Sequence, residues 1–267
     1  MSEFTIRASS FAELYDCAYR WEGKHLLGIK KPTGLRAVLG TALHASTAAF
    51  DTGRIDGSNV SVDDAAGLLS DKLHHPDEEV NLNQDDITLR EAEEVGLALH
   101  TKYCLDVSPN YQFKAVEMAT TPLDIDCGNG ITIKLTGTMD RARIKVGSAG
   151  VGIADLKSGS TAVQKGEAKT KGHKAQIGTY ELLYEHTTGE LITDAAEIIG
   201  LKTKGKAEVA TGTIIGGKQL MIGTEDTPGL IEIAAQMFRA GLFPPNPSST
   251  ICGEKYCPRW DTCPYHY

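Results

Sequence analysis

Two short motifs, Gly137-Thr-Met-Asp140 and Ala154-Asp-Leu-Lys157, flank a glycine-containing loop at residues 145–150. The alternating run 131–144 before the loop and the run 151–157 after it are typical of β-strands. Because a short loop joins the two runs, they predict an antiparallel hairpin. We expect this hairpin to form the centre of a sheet.

Three charged side chains would meet on this hairpin. Residues two apart in a strand share a face, so Asp155 and Lys157 are expected to project together, with Asp140 beside them if the strands pair in that register. Two carboxylates suit Mg2+, which prefers oxygen ligands, and a neighbouring ammonium group can stabilise charge on a phosphate. The alternative is a weak ion pair on a surface strand, which is common for an Asp-x-Lys triplet.

The composition is that of a globular chain of 267 residues, with 41% hydrophobic content. No run reaches the roughly 18 to 20 apolar residues of a membrane span, and the first residues lack a basic region followed by an apolar stretch. We therefore expect a soluble, cytoplasmic protein without a membrane partner. Six cysteines without a secretory signal favour metal ligation or free thiols over disulfides.

The formal net charge of −8 is unusual for a protein that binds nucleic acids, since phosphate binding depends on Lys and Arg. The lysines that follow the hairpin are nevertheless concentrated in two short segments, and a local positive surface matters more than the total charge. A DNA-binding groove and an ordinary solvated surface are both compatible with them. These lysines are Lys165, Lys169, Lys171, Lys174, Lys202, Lys204 and Lys206.

The chain is expected to form a single domain. One helix is predicted at residues 8–28, with Cys17 inside it, and a second at residues 36–50, with His44. Residues 51–64 have the composition of a loop, and further helices follow, to which we assign no chemistry. The predicted segments are 1–50, N-terminal helices; 51–110, a helical insertion; 111–242, the core; and 243–267, a cysteine-rich tail.

A strand predicted at residues 111–126 precedes the hairpin, and the turn at 127–130 connects them. Glu117 lies on this strand, on the same face as Phe113 and Ala115. A Glu among apolar neighbours is either a third acidic group near the cluster or a charge on an edge strand, and the pattern slightly favours the edge charge.

After the hairpin, a loop rich in Gly and Lys leads to a predicted helix at residues 174–186. Gln176 and Tyr180 share a face of this helix, where they could hydrogen-bond a phosphate or a metal-bound water, or simply pack the helix. Two further strands and a last helix at 227–240 complete the pattern. The order predicts an α/β fold with a mixed sheet.

The tail places three cysteines within a segment of 12 residues: Cys252, Cys257 and Cys263. Such a tail is too short for an apolar core of its own and gains order from a bound metal. Three thiolates need a fourth ligand, and Cys17 is the natural candidate, with His266 a weaker one. The spacing alone does not separate Zn2+ from an iron–sulfur cluster. Cys104 and Cys127 are expected to be ordinary thiols.

These motifs resemble those of the PD-(D/E)XK nuclease superfamily. Within it, they are similar to the RecB-like branch with an iron–sulfur cluster, which includes the AddB nuclease domain and CRISPR-associated exonucleases. The resemblance extends from Ser9 to Cys263, with residues 51–110 unmatched and Met139 where the superfamily name has Pro. It implies a restriction-endonuclease-like α/β core, in which helices flank a central mixed sheet, with a helical insertion and a C-terminal staple ligated by cysteines.

The resemblance also implies roles for individual residues. Lys157 resembles the catalytic lysine, and Gln176 and Tyr180 the helix motif that contacts substrate or orients the site. The residues that resemble ligands of Mg2+ or Mn2+ are His44, Asp140 and Asp155, with Glu117 as an auxiliary acid. Four cysteines are similar to the ligands of a 4Fe-4S cluster: Cys17, Cys252, Cys257 and Cys263. This similarity favours an iron–sulfur cluster over Zn2+. The lysines expected to bind DNA are Lys165, Lys169, Lys171 and Lys174.

These roles imply a metal-dependent DNA exonuclease acting on single-stranded or resected ends in recombination, repair or phage DNA processing. The expected partners are DNA and a helicase or recombination protein; the sequence has no Gly-x-x-x-x-Gly-Lys-[Ser/Thr] motif, so we expect a motor to be a separate chain. One alternative is a nuclease-inactive DNA-binding or assembly subunit. Such a subunit would lose its metal ligands, whereas this sequence keeps the full set of His44, Asp140, Asp155 and Lys157. Another is a zinc-stapled protein without a nucleic-acid role, which leaves the Asp-x-Lys hairpin unexplained.

Overall fold

Helices cover both faces of a five-stranded sheet in the computed structural model, which describes residues 2–266. The α-helices in this range are α1 (Phe11–Asp16), α2 (Ala18–His25), α3 (Leu35–Asp56), α4 (Val62–His74), α5 (Leu89–Lys102), α6 (Lys174–Thr188), α7 (Gly217–Ile222) and α8 (Leu230–Ala240). The strands are β1 (Ser2–Arg7), β2 (Thr33–Gly34), β3 (Val80–Asn81), β4 (Tyr111–Ala119), β5 (Leu123–Asp126), β6 (Ile131–Thr136), β7 (Thr138–Lys145), β8 (Val151–Gly159), β9 (Val163–Gln164), β10 (Glu167–Ala168), β11 (Ala196–Lys202) and β12 (Glu208–Ile214).

The main sheet has the strand order β12-β11-β8-β7-β4. Strands β8 and β11 run parallel, whereas the other neighbours are antiparallel, so the sheet is mixed, as predicted. Strand β8 is central, and its first six residues are buried. A strand covered by helices on both faces carries apolar residues on both sides, which explains why its sequence does not alternate strictly.

Successive residues of β8 contribute to two separate hydrophobic clusters. Val151 and Ile153 pack with side chains of α1, α2, α6 and α8. Ala154 and Leu156 point to the opposite face and pack with α3, α4 and α5. Helix α3 and the helices α4 and α5 of the insertion therefore pack together on this face of the sheet.

The two long runs predicted as single strands are each interrupted. The run 111–126 breaks before β5, where Pro122 lacks a backbone donor for the ladder. The run 131–144 breaks at Gly137, where an added Cβ would lie 2.9 Å from Tyr180 Cε1. The pieces β5 and β6 form a second sheet with β1, a strand that the sequence pattern did not predict.

Two predicted boundaries in the N-terminal helices are also wrong. The helix expected at 8–28 is split by Cys17, whose extended backbone (φ −149°, ψ 94°) separates α1 from α2. The loop expected to begin at Asp51 is helical as far as Asp56, because Asp51 is fully buried on the inner face of α3 and the helix ends at Gly57 with φ 76°.

The remaining segments position the tail and the surface around the hairpin. The lysine-rich loop after β8 contains the short hairpin β9–β10, and α7 precedes the last helix. The tail contacts the insertion through Lys255 Nζ, which lies 2.8 Å from Asp85 Oδ1. Across residues 2–266, none of the helices combines the length and apolar character needed to cross a membrane.

Candidate active site

Strands β7 and β8 separate at Asp140. Their residue pairs end with Arg141 and Ala154. Beyond this pair, the backbone N–H of Leu156 on β8 donates to Asp140 Oδ2 at 2.8 Å. A backbone donor of the central strand therefore fixes the orientation of this buried carboxylate.

Asp155 and Lys157 contact each other on β8. Lys157 Nζ lies 2.5 Å from Asp155 Oδ2, while Asp155 Oδ1 accepts a hydrogen bond from Gln176 Nε2 at 3.2 Å. Burial raises the pKa of Asp155. The positive charge of Lys157 opposes this rise, and the negative charge of Asp140 adds to it. Burial alone would favour the neutral amine of Lys157, but the two carboxylates together raise its pKa. Lys157 is therefore an ammonium group beside two acidic side chains.

Gln176 and Tyr180 stand behind this pair on α6. Gln176 Nε2 also donates to the Tyr180 hydroxyl at 3.2 Å, so the amide joins Asp155 to the phenol. Both side chains are almost fully buried. The helix face that the sequence spacing predicts is thus turned toward the carboxylates, and Gln176 orients Asp155.

His44 on α3, Glu117 on β4 and Asp140 form a group of possible metal ligands. One ligand atom from each lies within 4.8 Å of the others. His44 Nδ1 is 3.5 Å from Asp140 Oδ2 and 3.9 Å from Glu117 Oε1. Burial lowers the pKa of His44, although Asp140 opposes this. A neutral imidazole with two carboxylates is a suitable donor set for a divalent cation. Asp155 is not part of this compact group.

Glu117 has an unusual backbone conformation, with φ 45° inside a strand. The strand pairs on either side of it are Val116 with Arg141 and Met118 with Met139, which places Glu117 across from Asp140. Like charges on facing strand positions are unfavourable, and burial together with Asp140 raises the pKa of Glu117 to about 7. Strain and charge repulsion together are typical of a functional site.

A buried arginine supports this acidic group from behind. Arg141 is fully buried; its Nη1 donates to Glu117 Oε1 at 3.2 Å and its Nε to Asp51 Oδ2 at 2.7 Å. Asp51 also accepts hydrogen bonds from the hydroxyls of Tyr103 and Ser108. Asp51 lies in the segment to which the sequence assigned no chemistry. The sequence holds one indication of this role: Asp51 follows His44 by seven residues, which places both on one face of α3.

The family assignment follows from comparison with known proteins. Residues 5–264 match the model of the PD-(D/E)XK nuclease superfamily. The chain belongs to this superfamily. A similar fold is found in the solved structure of a protein from Eubacterium rectale, which is provisionally named an exonuclease. The two sequences are 14% identical and the TM-score is 0.50; the match covers 93% of this chain and 86% of that one. Among curated proteins, no match is found.

Membership of the PD-(D/E)XK superfamily supports a nuclease. The predicted site residues that the structure brings together at the open end of β7 and β8 are His44, Glu117, Asp140, Asp155, Lys157, Gln176 and Tyr180. Glu117 is both on the edge strand and in the acidic group, so the two alternatives drawn from its sequence pattern are not exclusive.

The lysines of the two basic segments differ in their surroundings. Lys202 and Lys204 are ion-paired with Glu208 and Asp86, at 3.2 and 3.0 Å. Lys206 is exposed between β11 and β12. The other four lie exposed on the segment from the β9–β10 hairpin to the start of α6, directly after the strand that carries Lys157; they are Lys165, Lys169, Lys171 and Lys174.

His173, which the sequence analysis did not single out, precedes α6 in the same segment. Burial, reinforced by Lys157 and Lys169, lowers its pKa to about 4. The imidazole is therefore neutral at physiological pH, because both burial and the nearby lysines disfavour its charged form. A His at the start of a helix is a weak sequence signal, so only the fold reveals this position.

The four cysteines predicted as ligands line one pocket between the N-terminal helices and the tail; they are Cys17, Cys252, Cys257 and Cys263. The break between α1 and α2 explains how Cys17 reaches this pocket from a helical segment. Cys104 and Cys127 lie elsewhere: Cys104 is 3.5 Å from His100 Nε2, and Cys127 donates to the Ile125 carbonyl. All six thiols are free.

The thiols in this pocket influence one another. Burial raises the pKa of the Cys252 and Cys257 thiols, and the neighbouring Cys17 and Cys263 add to the rise. Four thiols are the number of cysteine ligands that a tetrahedral Zn2+ site and a 4Fe-4S cluster each take. The ligand set of the pocket therefore fits either group.

Proposed function

We propose that this protein is a Mg2+- or Mn2+-dependent deoxyribonuclease that removes nucleotides from DNA ends. The observation that carries the proposal is the group of His44, Glu117 and Asp140 beside the ion pair of Asp155 and Lys157. Three acidic side chains close together, two of them acting on a partly buried lysine, are costly for the fold, and a metal-dependent hydrolase gives them a use.

The residues that would hold the divalent ion are His44, Glu117 and Asp140. Asp155 would join them through Oδ2, which is buried and makes no aligned hydrogen bond despite its contact with Lys157. When bound, a divalent ion in such a site stabilises charge on the phosphate and lowers the pKa of a water.

The other side chains have distinct roles in this scheme. The Lys157 ammonium stabilises negative charge that develops on the scissile phosphate and holds the attacking water through a hydrogen bond. Gln176 keeps Asp155 in place, and Arg141 keeps Glu117 in place. Together, they hold the reacting groups in position before substrate binds.

DNA is proposed as the substrate because of the exposed lysines next to the site; they are Lys165, Lys169, Lys171 and Lys174. Two of the carboxylates are recessed, with the Asp140 side chain 9% exposed and that of Asp155 1% exposed, whereas the Glu117 side chain is 38% exposed. A flexible single strand reaches such a recess more easily than a duplex. The proposed context is the processing of DNA ends in recombination, repair or phage replication, alongside a helicase or recombination protein.

We further propose that the cysteine pocket holds a 4Fe-4S cluster, with Zn2+ as the alternative. The four cysteines that line this one pocket support a bound metal group, and the resemblance of their pattern to the iron–sulfur branch of the superfamily favours the cluster. The ligands come from both ends of the described chain, so the group would fasten the tail to the N-terminal helices. The free energy of metal binding then contributes to folding.

The function can be tested by digesting end-labelled linear DNA and closed circular DNA, single- and double-stranded, with Mn2+. Loss of the linear forms with survival of the circles would support an exonuclease, whereas cutting of the circles would indicate an endonuclease. Asp155→Asn serves as the inactive control. If the protein binds DNA and leaves every form intact, the alternative of a nuclease-inactive binding subunit replaces the proposal.

A further inference from the structure

Arg20 is placed against the cysteine pocket on α2, one turn after Cys17. Its Nη2 lies 2.9 Å from Glu13 Oε1, and only 12% of its side chain is exposed. The Nε–H of the same guanidinium is buried and makes no hydrogen bond. A buried donor without a partner costs about 1–3 kcal/mol, so Arg20 is expected to have a partner that comes from the pocket.

The pocket is already equipped with donors to sulfur. The backbone N–H of Asn246 donates to Cys17 Sγ at 3.4 Å. The backbone N–H of Arg259 favours the thiolate of Cys257, although burial raises the pKa of that thiol overall. Hydrogen bonds of this kind to ligating sulfurs are a means by which proteins set the reduction potential of iron–sulfur clusters.

Charge points to the same residue. Four thiolates and four sulfides together bring more negative charge to the pocket than the iron atoms neutralise, and reduction adds to it; a charge in such a site is screened less than in water. Among the residues that line the pocket, Arg20 is the one with a permanent positive charge. Glu13, which does not line the pocket, offsets part of this charge.

We propose that Arg20 donates its Nε hydrogen to a sulfur atom of the cluster and that its charge stabilises the reduced form. This inference rests on the proposed 4Fe-4S cluster, and it is independent of the nuclease site. Arg20 is thus a residue that tunes the cluster rather than one of its ligands.

The test is the midpoint potential of the anaerobically purified protein, followed by visible absorbance and electron paramagnetic resonance. Arg20→Gln is expected to disfavour reduction by on the order of tenfold, which corresponds to about 59 mV for a one-electron couple. Glu13→Gln is expected to shift the potential in the opposite direction, because it frees the charge of Arg20. Arg20→Lys, which keeps the charge but loses Nε, should fall between Arg20→Gln and the unmodified protein.

Lys24→Gln is the matched control, because Lys24 pairs with the same Glu13 at 3.3 Å but does not line the pocket. It should leave the potential close to that of the unmodified protein. Equal potentials in Arg20→Gln and the unmodified protein, or shifts of the same sign in Arg20→Gln and Glu13→Gln, would overturn the role of Arg20. Iron and sulfide analysis of the unmodified protein separates this failure from failure of the cluster assignment: protein that contains one zinc ion and no iron overturns both.

Discussion

The backbone N–H of Leu156 donates to Asp140 Oδ2 across 2.8 Å, at the point where β7 and β8 stop pairing. The central strand thus holds the carboxylate that His44 and Glu117 approach. Because the bond uses a backbone donor, the orientation of Asp140 depends on the sheet itself and not on a mobile side chain. This contact makes Asp140 both a structural and a chemical part of the site.

Substitutions of Asp140 should separate these two parts. Asp140→Asn keeps an oxygen that accepts from Leu156 but loses the charge, whereas Asp140→Ala leaves a buried N–H without a partner. We expect both to lower the rate of DNA hydrolysis, by roughly 10²–10³-fold or more. Urea denaturation should show the Ala variant to be less stable than the Asn variant by about 1–3 kcal/mol. Full activity in Asp140→Asn would contradict its role in the chemistry.

Asp51→Ala should destabilise the protein strongly, because the fully buried guanidinium of Arg141 would lose its closest carboxylate. Removing one partner of a buried ion pair costs about 3–5 kcal/mol. Asp56→Ala, at the exposed end of the same helix, should leave the free energy of unfolding nearly unchanged. Similar urea midpoints for the two variants would show that Asp51 does not hold Arg141 in place.

Glu117 should make stability depend on pH. Its pKa in the folded protein, about 7, lies above the ordinary value, so the stability it contributes is present at low pH and is lost as the pH rises through 7. The unfolding temperature of the metal-free protein should therefore fall between about pH 5 and pH 8. This fall should be smaller in Glu117→Gln. Parallel curves for the two proteins would contradict the shifted pKa.

The affinity for divalent ions should change with pH in the opposite direction to the stability of the metal-free protein. A carboxyl group must be deprotonated to bind a metal, so binding should strengthen as the pH rises. The Mn2+ concentration that gives half the maximal rate is expected to rise as the pH is lowered from about 8 to about 6. In Glu117→Gln, this dependence should weaken, and more Mn2+ should be required at every pH. A titration of the initial rate against Mn2+ at each pH measures both effects.

The exposed lysines after β8 should contribute to DNA binding through phosphate contacts. Replacing Lys165, Lys169 and Lys171 with Gln should raise KM with little change in kcat, and should reduce the dependence of log K on log salt by about 0.7 for each lost contact to a single strand. Lys202→Gln and Lys204→Gln serve as controls, because these lysines are already paired with acidic residues. If the two sets of variants show the same dependence of binding on salt, Lys165, Lys169 and Lys171 do not contact the DNA.

The local part of the site could be predicted from the sequence. Asp155 and Lys157 are two apart in a strand, and Gln176 and Tyr180 are four apart in a helix, so the regular geometry of each element determines their shared face. The mixed sheet followed in the same way from the alternating runs and their order. These inferences need only interactions between near neighbours in the chain.

The rest depends on contacts between distant segments. Asp51 was predicted to be in a loop because Asp and Gly disfavour helices, but burial against Arg141, 90 residues away, overrides that preference. The break at Cys17 has no local marker; its backbone bends where the tail packs against it. The left-handed conformation of Glu117 is unusual for a Glu, so the pairing of β4 with β7, and not residue type, determines it.

The most direct test of the metal-dependent nuclease is the hydrolysis of end-labelled single-stranded DNA by the unmodified protein and by Lys157→Met, at equal occupancy of the DNA. The site geometry predicts that Mn2+ will support stepwise shortening by the unmodified protein, that a chelator will stop it, and that Lys157→Met will bind the same DNA but cleave it roughly 10²–10³-fold more slowly. Equal cleavage by the two proteins, or cleavage that persists with chelator, would contradict the assignment.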